Sequence, residues 1–569
     1  MTKITRRGLL GAAATGTLSV AACATTATNV APKPAPYAGE VEFLHGVASG
    51  DPLSDRVIIW TRATPKTGTG PIPVSYSVTD PENPSAPPIT GTAMATASRD
   101  YCVKVDVAGL KPGKAYSYAF SVATEAGNVD SPEGRLKTTA LHGDAPVRMG
   151  VVSCSNWQFG YFNAYEALSK EEDLDVILHL GDYLYEYGVD GYGAEVATEI
   201  GRVHDPITEM VTLADYRMRH AQYRSDPALQ AAHALAPWIC TWDDHESTNN
   251  SYRTGAQNHN PEEGEGDWSD RKQAAIQAYF EWIPLREPAA GEITSAVWRS
   301  FTFGDVATIH ALESRLTGRS PDVSWFDALT GVTDQDVMMQ RVAETLETIN
   351  DPARTMLGSE QEAWLSGELK SSVERGKAWQ VLANQVVMAR TKLPNFQETL
   401  TPEQLAAQDN GFVQTMVGFS ALGLPFNLDA WSGFPAARER LYAGAAAADA
   451  KLITLAGDTH TAWVNTLYDA EGGKRGVEFG CTSITSPGTG AYIKGIPDLG
   501  EQFADANPEV NWHDPFNRGY TIVTLSKDTA RAEYRTVSNI LSRDYAVETV
   551  AVYETSQENG TLSDLVSVA

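Results

Sequence analysis

Little in this 569-residue chain points to a covalent scaffold, a membrane span or a nucleic-acid partner. Five cysteines (Cys23, Cys102, Cys154, Cys240, Cys481) are too few and too scattered for a disulfide framework or a zinc finger. Beyond the first two dozen residues no window holds 18 uninterrupted apolar residues, so no later run suits a spanning helix. Positive charge is scarce. Lys and Arg number 44 against 72 Asp and Glu, and the net −28 repels phosphate backbones, which argues against nucleic acid as a specific partner. A small anionic substrate stays open, because salt screens the field within about 10 Å and bound cations invert it locally. Also missing are a Gly-x-Ser-x-Gly elbow, a Walker A loop and a His-Glu-x-x-His helix. What remains is ordinary globular composition, 42% hydrophobic and 20% charged, long enough to bury a large core.

Residues 1–24 read as an address. Arg6-Arg7 before Gly8-Leu9-Leu10 resembles a twin-arginine export signal, and the apolar stretch from Gly8 to Ala22 is 15 residues, too short to span but right for a signal core. Two processing routes stay open: Ala22-Cys23-Ala24 fits A-x-A cleavage, whereas Val20-Ala21-Ala22-Cys23 resembles a lipobox that would put a lipid on Cys23. Either predicts an exported protein, periplasmic or secreted, with a lipid anchor as its one membrane tie.

Residues 25–40, rich in Thr, Ala and Pro, read as a linker. From 41 to 140 the pattern is all-β: Val103, Val105 and Val107 alternate, as do Tyr116, Tyr118, Phe120 and Val122, with the turn Gly109-Leu110-Lys111-Pro112-Gly113 between them. The economical reading is a sandwich of immunoglobulin or fibronectin type. From 146 to 555 the texture becomes α/β. Apolar strands are expected at Val147–Val152, Val176–Leu180, Trp238–Trp242, Trp379–Ala383 and Leu452–Ala456, a helix over Tyr161–Glu172, and a helix opened by a capping box at Ser359-Glu360-Gln361-Glu362. Closing strands are expected at Thr521–Leu525, Ala530–Thr536 and Ala546–Tyr553.

Open α/β sheets place ligands where their strands stop. Here the stops carry Cys154, Asp182 with Tyr185, Asp244 with His245, Asn384, and Asp458 with His460. Singly each has an ordinary structural reading, as helix cap, core thiol or packed ring. Jointly, carboxylates gathered at one edge repel and need cations, and a carboxylate shared by two ions suits metals about 3.5–4 Å apart. Thiolate, phenolate and imidazole favour a transition ion, all-oxygen positions a hard one such as Ca²⁺, so the set suggests two unlike metals.

Gly181-Asp182-Tyr183-Leu184-Tyr185 matches the Gly-Asp-x-x-Tyr motif of calcineurin-like and purple-acid-type metallophosphatases. Further runs follow in order: Gly46 to Pro52, Ser153-Cys154-Ser155, Leu178 to Gly188, Thr212 to Arg217, Thr241-Trp-Asp-Asp-His-Glu246, Asp429 to Pro435, and Gly457-Asp-Thr-His460. With them the chain resembles the PhoD-like (alkaline phosphatase D) family from about residue 41 to 550. The resemblance implies an N-terminal β-sandwich, a two-sheet metallophosphatase domain flanked by helices, and a site of Fe³⁺ and Ca²⁺, with Zn²⁺ or Mn²⁺ as alternatives. Carried over by motif, Cys154, Asp182, Tyr185 and His460 would bind iron. Asp182 would bridge to calcium, with Asp244, Asp458 and Asn384 completing the calcium side. Where relatives often carry Asp-Thr-Arg, this chain has Glu313-Ser314-Arg315; Arg315 is a candidate phosphate fork, with a surface ion pair as the alternative.

The expected activity is release of phosphate from small phosphoesters by direct attack of a metal-bound hydroxide, with His245 as proton donor or orienter and Arg315 neutralising developing charge. Phosphodiester or phospholipase-D-like hydrolysis is the alternative within the fold. The alternative of another class, a non-catalytic surface-binding protein on a decayed scaffold, predicts lost donors, yet every matched metal position keeps one. Sequence leaves oligomeric state open.

Overall fold

The computed structural model describes residues 34–288, 297–408, 411–558 and 560–568. The export segment, Cys23 and the first part of the linker lie outside the described residues. Among those described, no helix is long and apolar enough to cross a membrane.

The fold is mixed α/β, built on two large sheets laid face to face. In the first, Val147–Val152, Val176–His179 and Trp238–Cys240 run parallel. In the second, Ala307–Ala311, Trp379–Ala383, Leu452–Ala456 and Lys474–Gly480 run parallel. These strands are apolar almost throughout because both faces are covered. Side chains alternate between layers, as the two-residue strand period requires. Met149, Val151, Val176 and Leu178 meet Ile309, Val381, Ile453 and Leu455 between the sheets. Val152 and Ile177 point outward onto Phe162, Tyr165 and Leu229, and Leu382 onto Leu365 and Leu441. The layers are therefore helix, sheet, sheet, helix.

The C-terminal part closes the first sheet: Arg518–Leu525 pairs antiparallel with Val147–Val152 and continues into Thr529–Val537 and Val547–Glu558. At the other end the strand-rich N-terminal region divides. Ile72–Thr79, Ile89–Ala95, Ala115–Thr124, Gly127–Asp130 and Gly134–Lys137 form a separate antiparallel sheet. Val47–Gly50, Arg56–Arg62 and Cys102–Ala108 instead extend the first large sheet, joined where Gly50 lies beside Trp238. A Cβ on Gly50 would sit 2.1 Å from Pro284 O, so only glycine permits this approach. The next residue, Asp51, is fully buried and accepts from Arg299 Nη2 at 2.7 Å and from Arg299 Nε at 3.0 and 3.1 Å, tying the joint to the second sheet. The Gly50-Asp51 run thus marks a seam between layers.

Two local expectations change. The helix after Cys154 covers only Asn163–Leu168. Glu171 turns away to meet Arg148 Nη2 and the Tyr520 hydroxyl, each at 2.7 Å, and the helix stops short of it. The helix Ser359–Glu374 has Gly358 rather than Ser359 at its N-cap and lacks a side-chain cap, because Glu362 is taken by Arg440 at 2.8 Å and Thr355 at 3.0 Å. True capping boxes occur at Thr212/Asp215 and Thr401/Gln404.

Candidate metal centre

The parallel strands of both sheets end on one edge, and there the chain turns sharply. Cys154, Asp182, Asp458 and His460 all adopt left-handed backbone conformations, with φ of 58°, 55°, 64° and 62°. Such conformations cost energy for residues with a Cβ and cluster where surrounding structure enforces them for a purpose. Gly181, at φ 109°, opens the turn that presents Asp182; a Cβ there would lie 2.4 Å from that of Asp243.

Three groups of donor atoms result, each gathered within 4.8 Å: Cys154, Asp182 and His460; Asp182, Asp244 and His245; Asp243, Asp244 and Asp458. Asp182 belongs to the first two, the arrangement expected of a carboxylate shared between two ions. Tyr185 joins the first group, its hydroxyl donating to Asp182 Oδ2 at 3.0 Å and lying 3.0 Å from His460 Nε2. Nδ1 of His460 sits 3.0 Å from Pro487 O, which holds a proton on that nitrogen and leaves the Nε2 lone pair facing the group.

The residues fit cations. Asp182 Oδ1, Asp243 Oδ2 and Asp244 Oδ1 are buried without a hydrogen-bond partner, an arrangement costly unless positive charge meets them. Burial, then the Asp244, Asp243 and Glu246 carboxylates, pushes Asp182 well above the usual carboxylate range. Burial, then Asp182, likewise raises Cys154 and Tyr185. A bound cation reverses that logic and draws the protons off.

His245 lies beside the shared carboxylate. Its Nδ1 is 2.7 Å from Glu186 Oε2, and Glu186 is itself held by Asn249 N at 2.8 Å and Asn258 Nδ2 at 3.0 Å. Burial opposes a charge on His245, but Asp244, Glu186 and Asp182 outweigh it and raise its proton affinity well above the ordinary value. Its Nε2 has no hydrogen-bond partner among the described residues.

Arg315 is completely buried, so the surface ion pair is not what forms. Its guanidinium reaches Asp243, both oxygens of Asp429 (2.8 and 2.7 Å), and Asp458 at 3.3 Å, with Asp244 at 3.7 Å. Its hydrogen bonds go to protein carboxylates that a phosphate would have to displace. Glu313, the departure from the family pattern, is also buried; it accepts from Arg315 N, Leu316 N and Thr317 N at 2.6–2.9 Å and from Trp242 Nε1 at 2.8 Å. The Glu side chain organises the loop that carries Arg315. Asn384 ends its strand on the same edge, but its amide is spent on Trp431 Nε1 at 3.3 Å and on Val386 O, and no hydrogen bond joins it to the cluster.

Sequence reasoning passed over several participants. Asp243 completes the third donor group. Glu246 accepts from the backbone N–H groups of Asp182, Tyr183 and Asp243 at 2.7–3.1 Å and so fixes two ligand turns together. Glu186 orients His245, and Asp429 anchors Arg315 and Arg319. All four stood within the quoted runs, and their signal was an acid beside a candidate ligand.

Similarity to known proteins agrees with this geometry. Residues 149–534 match the family model described as PhoD-like phosphatase, and residues 27–140 match its N-terminal domain. The chain is 34% identical over 541 residues to alkaline phosphatase D of Bacillus subtilis (strain 168), covering 92% of this chain and 82% of that protein. A solved structure of PhoD superposes with a TM-score of 0.73 at 32% identity, covering 94% of each chain. The chain is therefore a member of the PhoD-like phosphatase family.

Proposed function

We propose that this phosphatase is an exported, two-metal phosphoester hydrolase that acts first on small monoesters, with diesters as the competing substrate class. The observation that carries the reading is a run of shared carboxylates: Asp182 stands in the first two donor groups and Asp244 in the last two, which links Cys154 and His460 to Asp243 and Asp458. Cys154, Tyr185, His460 and Asp182 would hold a transition ion such as Fe³⁺; Asp182, Asp244 and Asp458, with Asp243, would hold a hard ion such as Ca²⁺. Zn²⁺ and Mn²⁺ are the alternatives. When bound, such a pair acidifies water and neutralises phosphoryl oxygens.

The chain's own residues do the rest. Glu186 fixes the ring of His245, whose free Nε2 holds a proton for the leaving alkoxide. Arg315 orients Asp243, Asp429 and Asp458 and offsets part of their mutual repulsion. Glu246 keeps the turns of Asp182 and Asp243 in register.

The test is parallel hydrolysis of 4-nitrophenyl phosphate and bis(4-nitrophenyl) phosphate, before and after chelation, with metal content and visible absorption measured. Phenolate and thiolate on Fe³⁺ predict a coloured protein; a colourless, iron-free, fully active preparation sinks the assignment of Tyr185 and Cys154. The Arg6-Arg7 leader supports export, and cell fractionation with twin-lysine substitution at those positions tests it.

A further inference from the structure

A cavity of about 560 Å³ opens between the end of the helix Gln335–Ile349, the segment 390–392, the start of the helix Pro435–Ala448 and the turn 507–509. No residue of the three donor groups lines it. Its size falls in the range of small-molecule sites. Leu346, Ile349, Pro425 and Pro435 supply an apolar wall.

The polar groups on this wall divide by what they have left to give. Glu509 is spent, accepting from Arg390 N at 2.6 Å and Arg390 Nε at 2.7 Å. Asn507 is spent as well, accepting from Lys392 N at 2.8 Å and donating to Lys392 O and Phe503 O. Donors remain. Arg438 is 4% exposed; it donates weakly from Nη1 to Met388 O at 3.3 Å, its Nε is buried with no hydrogen-bond partner, and the nearest carboxylate, Glu439, is 4.0 Å away. Among the described residues the Lys392 ammonium and the hydroxyls of Ser432 and Tyr468 make no hydrogen bond or ion pair.

The unspent charge on this apolar hollow is cationic, from Lys392 and Arg438, in a chain of net charge −28, while its unspent neutral groups are the amide oxygen of Asn350 and two hydroxyls; that balance is complementary to one kind of ligand. We propose that this cavity binds an anionic amphiphile, its carboxylate-, sulfonate- or phosphate-type head meeting Arg438 and Lys392 and its chain lying on Leu346, Ile349, Pro425 and Pro435. A neutral apolar ligand leaves the buried Nε of Arg438 without a hydrogen bond, and a bare anion leaves the wall wet. The site is independent of the hydrolase reading.

The experiment is calorimetric titration of the full chain with decanoate, without added phosphate, beside decanol and beside sedimentation with phosphatidylglycerol vesicles; the Lys392→Glu variant separates this site from any binding at the catalytic centre. One decanoate site is expected, weakened about tenfold or more in Lys392→Glu and in Arg438→Gln, with phosphatase activity unchanged and decanol bound far more weakly. Vesicle binding lost in the same variants assigns the head to a bilayer lipid; decanoate binding without vesicle binding assigns it to a free amphiphile. Equal binding of decanol, unchanged affinity in Lys392→Glu, or no binding of decanoate or vesicles overturns the proposal. Lys392 is exposed, so its variant keeps the test sound if Arg438→Gln does not fold.

Discussion

Tyr185 and His460 stand 275 residues apart in sequence, yet the phenol oxygen lies 3.0 Å from the imidazole Nε2, and both face the carboxylate of Asp182. The contact crosses from one sheet to the other. Tyr185 follows a strand of the first, His460 a strand of the second, so the centre exists only while the two sheets keep their relative position.

Asp182→Asn tests that centre. It keeps the shape of the shared side chain and removes its charge, so turnover should fall by roughly a thousandfold, a loss typical of removing a preorganised charge-stabilising group. Metal content should fall with it, while circular dichroism stays unchanged. Near-normal rates in that variant are incompatible with a shared ligand.

Glu186→Gln leaves every proposed metal ligand in place and loosens His245. A drop of about 10–100-fold in kcat with KM little changed is expected, the usual cost of losing the partner that orients a site histidine. An unchanged kcat would remove Glu186 and His245 from the reaction.

Gly181→Ala addresses the turn. At φ 109°, with the new Cβ 2.4 Å from that of Asp243, the backbone must shift and carry Asp182 and Asp243 with it. A cost of about 1–3 kcal/mol in stability is expected, together with loss of bound metal. Denaturant midpoints and metal analysis measure both.

Acid should unfold this protein early. Burial pushes His220, His310 and His513 down to about 3. Below about pH 6.5 the unfolded chain takes up these protons and the native one does not, so stability is intact above 6.5 and is lost as pH falls toward 3. Each histidine contributes a slope of about 1.4 kcal/mol per pH unit in that window. Urea midpoints at pH 7.5 and 5.5 should differ steeply, and replacing His310 by Gln should flatten the dependence.

The strands carrying the site were legible because each is a continuous apolar run broken by a charged or thiol residue, a pattern set by burial on both faces. Hence Cys154, Asp182, Asp244, Asp458 and His460 could be named in advance as sharing one edge. Arg315 was legible as a candidate but not in its surroundings, because Asp429 is 114 residues away and no local periodicity links them. Asn384 came from the family resemblance, and its amide here meets Trp431 and Val386. The capping box at Ser359 failed for a tertiary reason: Arg440 takes Glu362. The amphiphile cavity left no trace, since its walls come from six segments scattered between residues 346 and 509.

Gly50 beside Trp238 has a practical consequence. The strands Val47–Gly50, Arg56–Arg62 and Cys102–Ala108 are grafted onto the hydrolase sheet rather than strung before it. A truncated version starting at residue 146 would leave Trp238 O without the Asp51 N–H and Arg299 without the Asp51 carboxylate. An edge opened at that point can accept a strand from another copy. Engineers trimming this protein to a minimal enzyme should therefore expect aggregates, and should keep the graft.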